Sequence, residues 1–258
     1  MLAYIIRRLA ATIPVMLVVA VSVFLLLHLT PGDPAAVLAG DNATSDQVAQ
    51  IRAHLGLDQP LWWQFGTWLW RLLHGDLGES LFWGKPVLAL VLERAEPTLS
   101  LALTTITVAV VIAVSLGVLA AWQAGSLTDR LVMGFAVLGF SVPVFVVGYV
   151  LIFIFSINLR WLPVQGYAPI AEGIGPWIER LVLPSVALGL AYVALIARIT
   201  RASMLEVLAE DYVRTALAKG VAPRPMLMRH ALKNAAVPIV TVVCIGVALL
   251  IGGVVITE

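Results

Sequence analysis

Few side chains in this 258-residue sequence have the type and spacing that chemistry requires, and each candidate fails at an identifiable point. Gly78-Glu79-Ser80-Leu81-Phe82-Trp83-Gly84-Lys85-Pro86 comes nearest to a phosphate-cradling loop. Such a loop needs four residues between its glycines and a Ser or Thr after the lysine to hold magnesium. Here five residues intervene and Pro86 takes the hydroxyl position, so no nucleotide site is expected. There is no G-x-S-x-G and no H-E-x-x-H, which removes the familiar serine-hydrolase and zinc-protease arrangements. Cys244 is the single cysteine, which excludes an internal disulfide and any Cys-x-x-Cys metal or redox site. No catalytic residue, metal ligand or cofactor site is assigned to the chain.

What remains is a polar stretch, residues 203–238, lying between two apolar runs and carrying Arg214, Lys219, Arg224, Arg229 and Lys233. Leu205, Leu208, Tyr212 and Ala216 recur at three- and four-residue steps, which predicts one helical face. Glu210 precedes Arg214 by four residues, the favourable order for a helical ion pair. Lys219 sits where a cation suits the helix dipole, Gly220 follows as a C′ residue, and Pro223 lies just beyond. A second short helix is expected from about Pro225 to Asn234, giving a helix–glycine–helix elbow. A solvated loop with one amphipathic helix is the alternative reading of the same residues.

The elements that must position this elbow are membrane spans. Hydrophobic residues make up 61% of the chain and charged residues 12%, with a mean hydropathy of +1.00; a soluble domain has about 25% charged residues. Five runs meet the length of about 20 apolar residues that a span needs: 10–29, 99–122, 132–157, 181–199 and 235–256. With the N-terminus inside, Arg7, Arg8, Arg130 and seven basic residues between Arg198 and Lys233 fall on the inner side, as the positive-inside bias requires. Arg7-Arg8 could open a twin-arginine export signal, but the apolar run is too long and no small-x-small cleavage site ends it.

Residues 30–97 then form an outer segment. Thr30-Pro31-Gly32-Asp33-Pro34 predicts a turn, Thr44 and Gln47 have capping-box spacing, and Gly56 should close the short helix that follows. Pro60 suits a first helical position. Leu61, Trp62, Phe65, Trp68, Leu69 and Leu72 predict an amphipathic helix at the outer interface, with a buried core helix as the alternative. Ala109, Ala113, Gly117 and Ala121 form a small-residue stripe for close helix packing, and Ala187, Ala191 and Ala194 form another. Ser141-Val142-Pro143 should kink the third span, either as a structural bend or as a place that lines a solute pathway. No acid, lysine or arginine stands at mid-span, which counts against a proton-coupled carrier. His28 is expected as a hydrogen-bonded interfacial imidazole.

Tyr212-Val213-Arg214-Thr215-Ala216-Leu217-Ala218-Lys219-Gly220, followed by Arg229-His230-Ala231-Leu232-Lys233-Asn234-Ala235-Ala236-Val237-Pro238, resembles the cytoplasmic E-A-A loop of ABC importer permeases. The closer resemblance is to the dipeptide, oligopeptide and nickel permease branch, and with the Pro-Gly-Asp-Pro turn and the tryptophan-rich helix it covers nearly the whole chain. Aligned on Gly220, Arg214, Thr215 and Ala216 occupy the E-A-A positions; the Glu is absent, and so is the usual proline after His230-Ala231-Leu232.

The resemblance implies an all-α polytopic permease subunit of an ATP-driven importer for peptides or related small solutes. Its domains would be residues 1–97, a first span plus outer helices, and 98–258, a transmembrane core holding the 203–238 coupling loop. The family has six spans where five are read here, so a C-terminal truncation is expected. Tyr212, Arg214, Thr215, Ala216, Lys219 and Gly220 would couple to the ATPase, with Ser141 and Pro143 as pathway or kink residues. ATP and magnesium would be bound by two separate ATPase subunits, so the chain itself would not be an enzyme. Further implied partners are a second homologous permease, an extracytoplasmic substrate-binding protein and the lipid bilayer, with no nucleic acid. The location would be a bacterial inner membrane, with the N-terminus cytoplasmic. The competing function is an ATPase-independent secondary transporter or channel, with a membrane enzyme further behind.

Overall fold

The computed structural model describes residues 2–29, 32–40, 43–80 and 83–253. Among these, helices joined by turns and irregular loops account for the chain apart from one antiparallel bridge between Glu79 and Pro86. Two compact units divide it, Met1–Glu93 and Arg94–Glu258.

The first unit holds α1 (Leu2–Leu29), α2 (Pro34–Ala39), α3 (Ser45–His54) and α4 (Leu61–Leu73). The expected turn after α1 is described from Gly32 (φ 134°) onward; Thr30 and Pro31 lie outside the described residues, as do Leu81 and Phe82 of the glycine-flanked stretch. Asp33 caps α2 by accepting from the Ala35 amide at 3.1 Å and also pairs with Arg52 of α3. The capping box of α3 forms as expected, Thr44 N donating to Gln47 Oε1 at 2.9 Å and Gln47 N to Thr44 Oγ1 at 3.4 Å. Gly56 (φ 68°) ends that helix with Leu57 N donating back to Arg52 O.

Pro60 is the N-cap of α4 rather than its first helical residue. Its ψ of 143° is extended, and its carbonyl accepts from Trp63 and Gln64. Phe65 and Trp68 of α4 pack on Phe24 of α1, with ring centroids 5.3 and 6.1 Å apart, while Trp62 and Trp70 stay exposed. His28 has the hydrogen bonds expected of it: Nδ1 lies 2.9 Å from Phe24 O and Nε2 3.1 Å from Gln64 Oε1. A helix with one aromatic face packed and further tryptophans outward suits a membrane interface.

The second unit carries most of α5 (Val87–Trp122), then α6 (Leu127–Ser141), α7 (Val144–Leu151) with a π-helical extension Ile152–Asn158, and α8 (Ile174–Leu208). After these come α9 (Asp211–Ala218), the single turn α10 (Pro223–Pro225), a π-helical turn Met226–Ala231 and α11 (Leu232–Gly253). Among the described residues four helical runs are long and apolar enough to cross a bilayer, Ala3–Leu26, Val87–Trp122, Ile174–Leu208 and Pro223–Gly252, and the bent pair Leu127–Ser141 and Val144–Asn158 makes a fifth if it is one span. The protein is therefore an all-α polytopic membrane protein. Residues 254–256 of the last predicted span lie outside the described residues.

The third predicted span differs most from expectation. A single kinked helix over 132–157 was expected; instead Leu127–Ser141 and Val144–Asn158 meet at 101°. Proline cannot donate an amide hydrogen and forces the residue before it out of the helical region, and Val142 is extended (φ −84°, ψ 125°). Pro143 then caps α7, accepting at its carbonyl from Val146 and Val147, so the chain restarts in a new direction.

The seam between α5 and α8 holds the second unit together. Ala109, Ala113, Gly117 and Ala121, the predicted stripe, are all buried, as are Ala187 and Ala194 of the second stripe. A Cβ built on Gly117 would stand 2.6 Å from Thr200 Cβ and 2.7 Å from the Ala197 carbonyl, so the two backbones approach as closely as a missing side chain permits. Thr104 and Ser185 hydroxyls bond across the same seam at 2.8 Å. Gly117→Ala should therefore force the helices apart and destabilise the protein by about 1–3 kcal/mol. Gly134→Ala on α6, where a Cβ meets nothing within 4 Å, is the matched control. Thermal unfolding in detergent should show a lowered midpoint for the first and an unchanged or raised one for the second.

Candidate functional site

The elbow is built by two interruptions of otherwise continuous helix. α8 ends at Leu208, and Glu210 is extended (φ −69°, ψ 147°) as the N-cap of α9. The continuous face predicted through Leu205, Leu208, Tyr212 and Ala216 is thereby split: the first pair belongs to α8 and the second to α9. Extended Glu210 also reorients the ion pair expected there. Arg214 Nη1 reaches Asp211 Oδ1 at 3.4 Å, both side chains being largely exposed, so the pair contributes little.

The far end of α9 is as predicted. Gly220 has φ 79°, its amide donates to Leu217 O at 2.9 Å, and Val221 N donates to Ala216 O at 3.1 Å. These two bonds are the Schellman pattern, which needs a left-handed residue at C′. No separate helix follows over 225–234. The chain enters α10 at Pro223 and runs through the π-helical turn Met226–Ala231 straight into α11. The polar residues read as a second elbow helix are the first turns of the last span.

α9 is anchored to the core through Val213. Val213 is 1% exposed and packs in a cluster with Met204, Met226 and Ala231. Helical spacing puts Tyr212, Thr215, Ala216 and Lys219 along one flank and Arg214 on the opposite one. Thr215 and Lys219 are exposed, Tyr212 is partly so, and Ala216 is half-buried. The structure thus gathers four of the six predicted coupling residues on one flank, leaves Arg214 apart, and ends the flank at Gly220. Leu217, 44% exposed, was not predicted; its spacing places it one turn after Val213, on the side away from the flank. The Tyr212 hydroxyl accepts from Asn234 Nδ2 at 2.7 Å, tying the exposed flank to the start of α11.

Ser141 and Pro143, the predicted pathway or kink residues, are both exposed at the 101° break, with Ser141 Oγ donating to Val137 O at 2.8 Å. One buried pair close to the elbow was missed. Asp129, 4% exposed at the start of α6, accepts from Arg201 of α8 through both oxygens at 2.5 and 2.7 Å. Asp129 Oδ2 also accepts from the Gly125 amide at 2.9 Å, so the turn between α5 and α6 is clamped to α8 two turns before the elbow. The sequence signal was a Ser126-x-x-Asp129 cap in a chain poor in acids. It marks a helix start but does not name a partner 72 residues away.

Comparison with known proteins places this geometry in context. The family described as "Binding-protein-dependent transport system inner membrane component" matches residues 113–258, and its N-terminal companion matches residues 1–104. A probable peptide ABC transporter permease of Sinorhizobium fredii is 56% identical over 99% of this chain and 82% of its own length. A putative peptide transport system permease of Brucella abortus is 44% identical, and a glutathione transport system permease of Escherichia coli 42% identical, each over all of this chain and 82% of the relative.

The Asp129–Arg201 clamp makes a direct prediction. Asp129→Asn leaves a guanidinium facing a neutral partner in a largely buried place, which should cost about 3 kcal/mol. Detergent-extracted protein should unfold at a lower temperature, and Arg201→Met combined with Asp129→Leu should recover much of the loss. Equal stability of the single variant and the wild type would show that the clamp is not structural.

Proposed function

The chain belongs to the binding-protein-dependent inner-membrane transport components, the permeases of ABC importers, and from that premise we propose that α9 is the element through which an ATPase drives it. As a family member it is a multi-pass permease subunit working with a substrate-binding protein, and this replaces the ATPase-independent carrier or channel considered from the sequence. The proposed cargo is a short peptide or a related small solute, on the strength of relatives named for peptide and glutathione transport. Two ATPase subunits bind and hydrolyse ATP with magnesium, and a second homologous permease completes the pathway. The N-terminus and the elbow face the cytoplasm of a bacterial cell, in keeping with the basic bias at Arg7, Arg8 and Arg198 to Lys233.

The observation that carries this reading is the mounting of α9. It projects a polar flank, is fixed to the core by Val213, and is joined to α8 by two residues and to α11 by a Schellman turn. A push on the flank of Tyr212, Thr215, Ala216 and Lys219 cannot be absorbed within α9, and is passed to both neighbouring spans. The spans then rock as packed bodies, the usual form of such transitions.

Two measurements test it. With Cys244 replaced by Ser and single cysteines placed at Gln50 or Arg224, both exposed, an impermeant thiol reagent on intact cells should label position 50 alone. Labelling at 224 would reverse the orientation and remove α9 from the ATPase side. Gly220 has no neighbour within 4 Å of a built Cβ, so substitution there acts through its positive φ alone. Gly220→Val should unseat the turn after Lys219, giving a complex that assembles but loses most binding-protein-stimulated ATP hydrolysis and uptake. Gly220→Asn, which tolerates the left-handed region, should keep most of both. If the Val variant transports at the wild-type rate per reconstituted complex, the elbow is an ordinary loop.

A further inference from the structure

At the end of the second unit away from the elbow lies a cavity of about 520 Å³, lined by α5 between Arg94 and Leu101, by α8 between Arg180 and Leu188, by α7 with its extension to Ile152 and by the loop 163–167. Arg201 beside the elbow follows Arg180 of this cavity by 21 residues on α8, a separation of about 30 Å at the helical rise. The walls are mainly apolar, supplied by residues such as Leu101, Phe145, Ile152 and Leu183. Among the lining residues are two cations, Arg94 and Arg180, and no acid.

Of the acids nearest these arginines in the chain, Glu93 faces Lys85 at 3.9 Å, Glu179 forms no ion pair among the described residues, and Glu96 is held by the loop. Glu96 Oε1 accepts from the Tyr167 hydroxyl at 3.1 Å and from the Ile170 amide at 2.9 Å, which fixes the outer loop to α5. Arg180 spends one nitrogen on the Gln165 carbonyl at 3.1 Å and forms no ion pair among the described residues; Arg94 has neither a hydrogen bond nor an ion pair among them. Apolar walls strengthen the field of charges lining a cleft. A guanidinium offers a planar fork of donors that matches a carboxylate. The volume is that of a small-ligand pocket and holds a few amino-acid residues.

We propose that this cavity receives the carboxylate end of a peptide-sized anionic solute, with Arg94 and Arg180 as its recognition residues and the apolar walls accommodating side chains without selecting among them. The inference rests on the importer reading for its physiological meaning, though not for its test. The site takes one charged feature that every unmodified peptide shares, and leaves discrimination to other components.

The test uses the assembled complex in nanodiscs, without binding protein or ATP, so that neither cargo selection nor hydrolysis enters the result. Cys244 is replaced by Ala, and Val164, an exposed lining residue, by Cys as a reporter. An anionic methanethiosulfonate should modify Val164→Cys several-fold faster than a cationic one, and Arg94→Gln with Arg180→Gln should abolish the preference. Trialanine should slow the modification, whereas trialanine amide should need about tenfold more for the same protection. Arg180→Gln also removes the bond to the Gln165 carbonyl, so Arg94→Gln alone, which breaks no bond, must lower the preference; Arg94→Lys should retain it. Equal rates for the two reagents, equal protection by acid and amide, or protection that survives the double Gln variant each overturn the proposal. Uptake driven by ATP is measured separately in the complete system: uptake without protection rejects this cavity alone, and protection without ATP-driven uptake rejects the importer reading alone.

Discussion

The second unit depends on how closely α5 and α8 can approach. In a bilayer, water cannot drive two apolar helices together, so association falls to packing and to a few cross-helix hydrogen bonds. Gly117 against Thr200 and the Ala197 carbonyl, with Ala109 and Ala113 along the same stripe, supplies the packing. Thr104 with Ser185 supplies a bond. Thr105 and Thr200 are wholly buried there with hydroxyls that have no partner among the described residues, so the seam is held by shape more than by polar contacts. Its consequence is mechanical: a close-packed pair of long helices moves as one piece, because interiors at this density do not deform gradually.

That stiffness explains why the interruptions matter. Three breaks in the second unit fall at residues with non-helical backbone: Pro143 between α6 and α7, extended Glu210 between α8 and α9, and Gly220 after α9. Between the breaks the chain is rigid, and at them it turns. The Asp129–Arg201 clamp lies on the same side as the elbow and fixes the α5–α6 turn to α8, so three elements meet where α9 is mounted. Charge is thus spent at helix ends, where a bidentate pair can be formed, and kept out of the mid-span.

Much of this was legible in the sequence because it is written in local rules. The Thr44–Gln47 box, the Gly56 and Gly220 caps, and the small stripes on α5 and α8 are each fixed by residues within a few turns of one another. What was misread depends on longer range or on degree. Ser141-Val142-Pro143 announces a break, but whether the second half bends by 20° or by 101° is decided by what it packs on. Residues 225–234 have the polarity of a surface helix, and nothing local says that Met226, Leu227 and Ala231 bury themselves and carry the helix directly into α11. Leu205 and Tyr212 are in helical register, yet one extended residue between them cancels the face that register implies. Arg201 gave no sign of its partner, since Asp129 is distant in sequence and reads as a capping residue.

α8 finally connects the two ends of the unit, and its sequence is not uniform along that path. Pro184 lies inside it near the cavity, and without an amide hydrogen it leaves the Arg180 carbonyl short of its usual partner. From Leu181 to Thr200 one side of the helix stays buried, with Leu181, Leu183 and Ser185 beside the proline and Val193, Ala194, Ile196 and Ala197 beyond it all in the core. A helix bends most easily where its hydrogen-bond ladder is already open. Pro184 is therefore where the backbone ladder of α8 resists bending least, while the packing continues on both sides of it. There Arg180 also holds the loop 163–167 through Gln165. The arrangement puts the one proline inside α8 next to the cavity and an uninterrupted hydrogen-bond ladder next to the elbow.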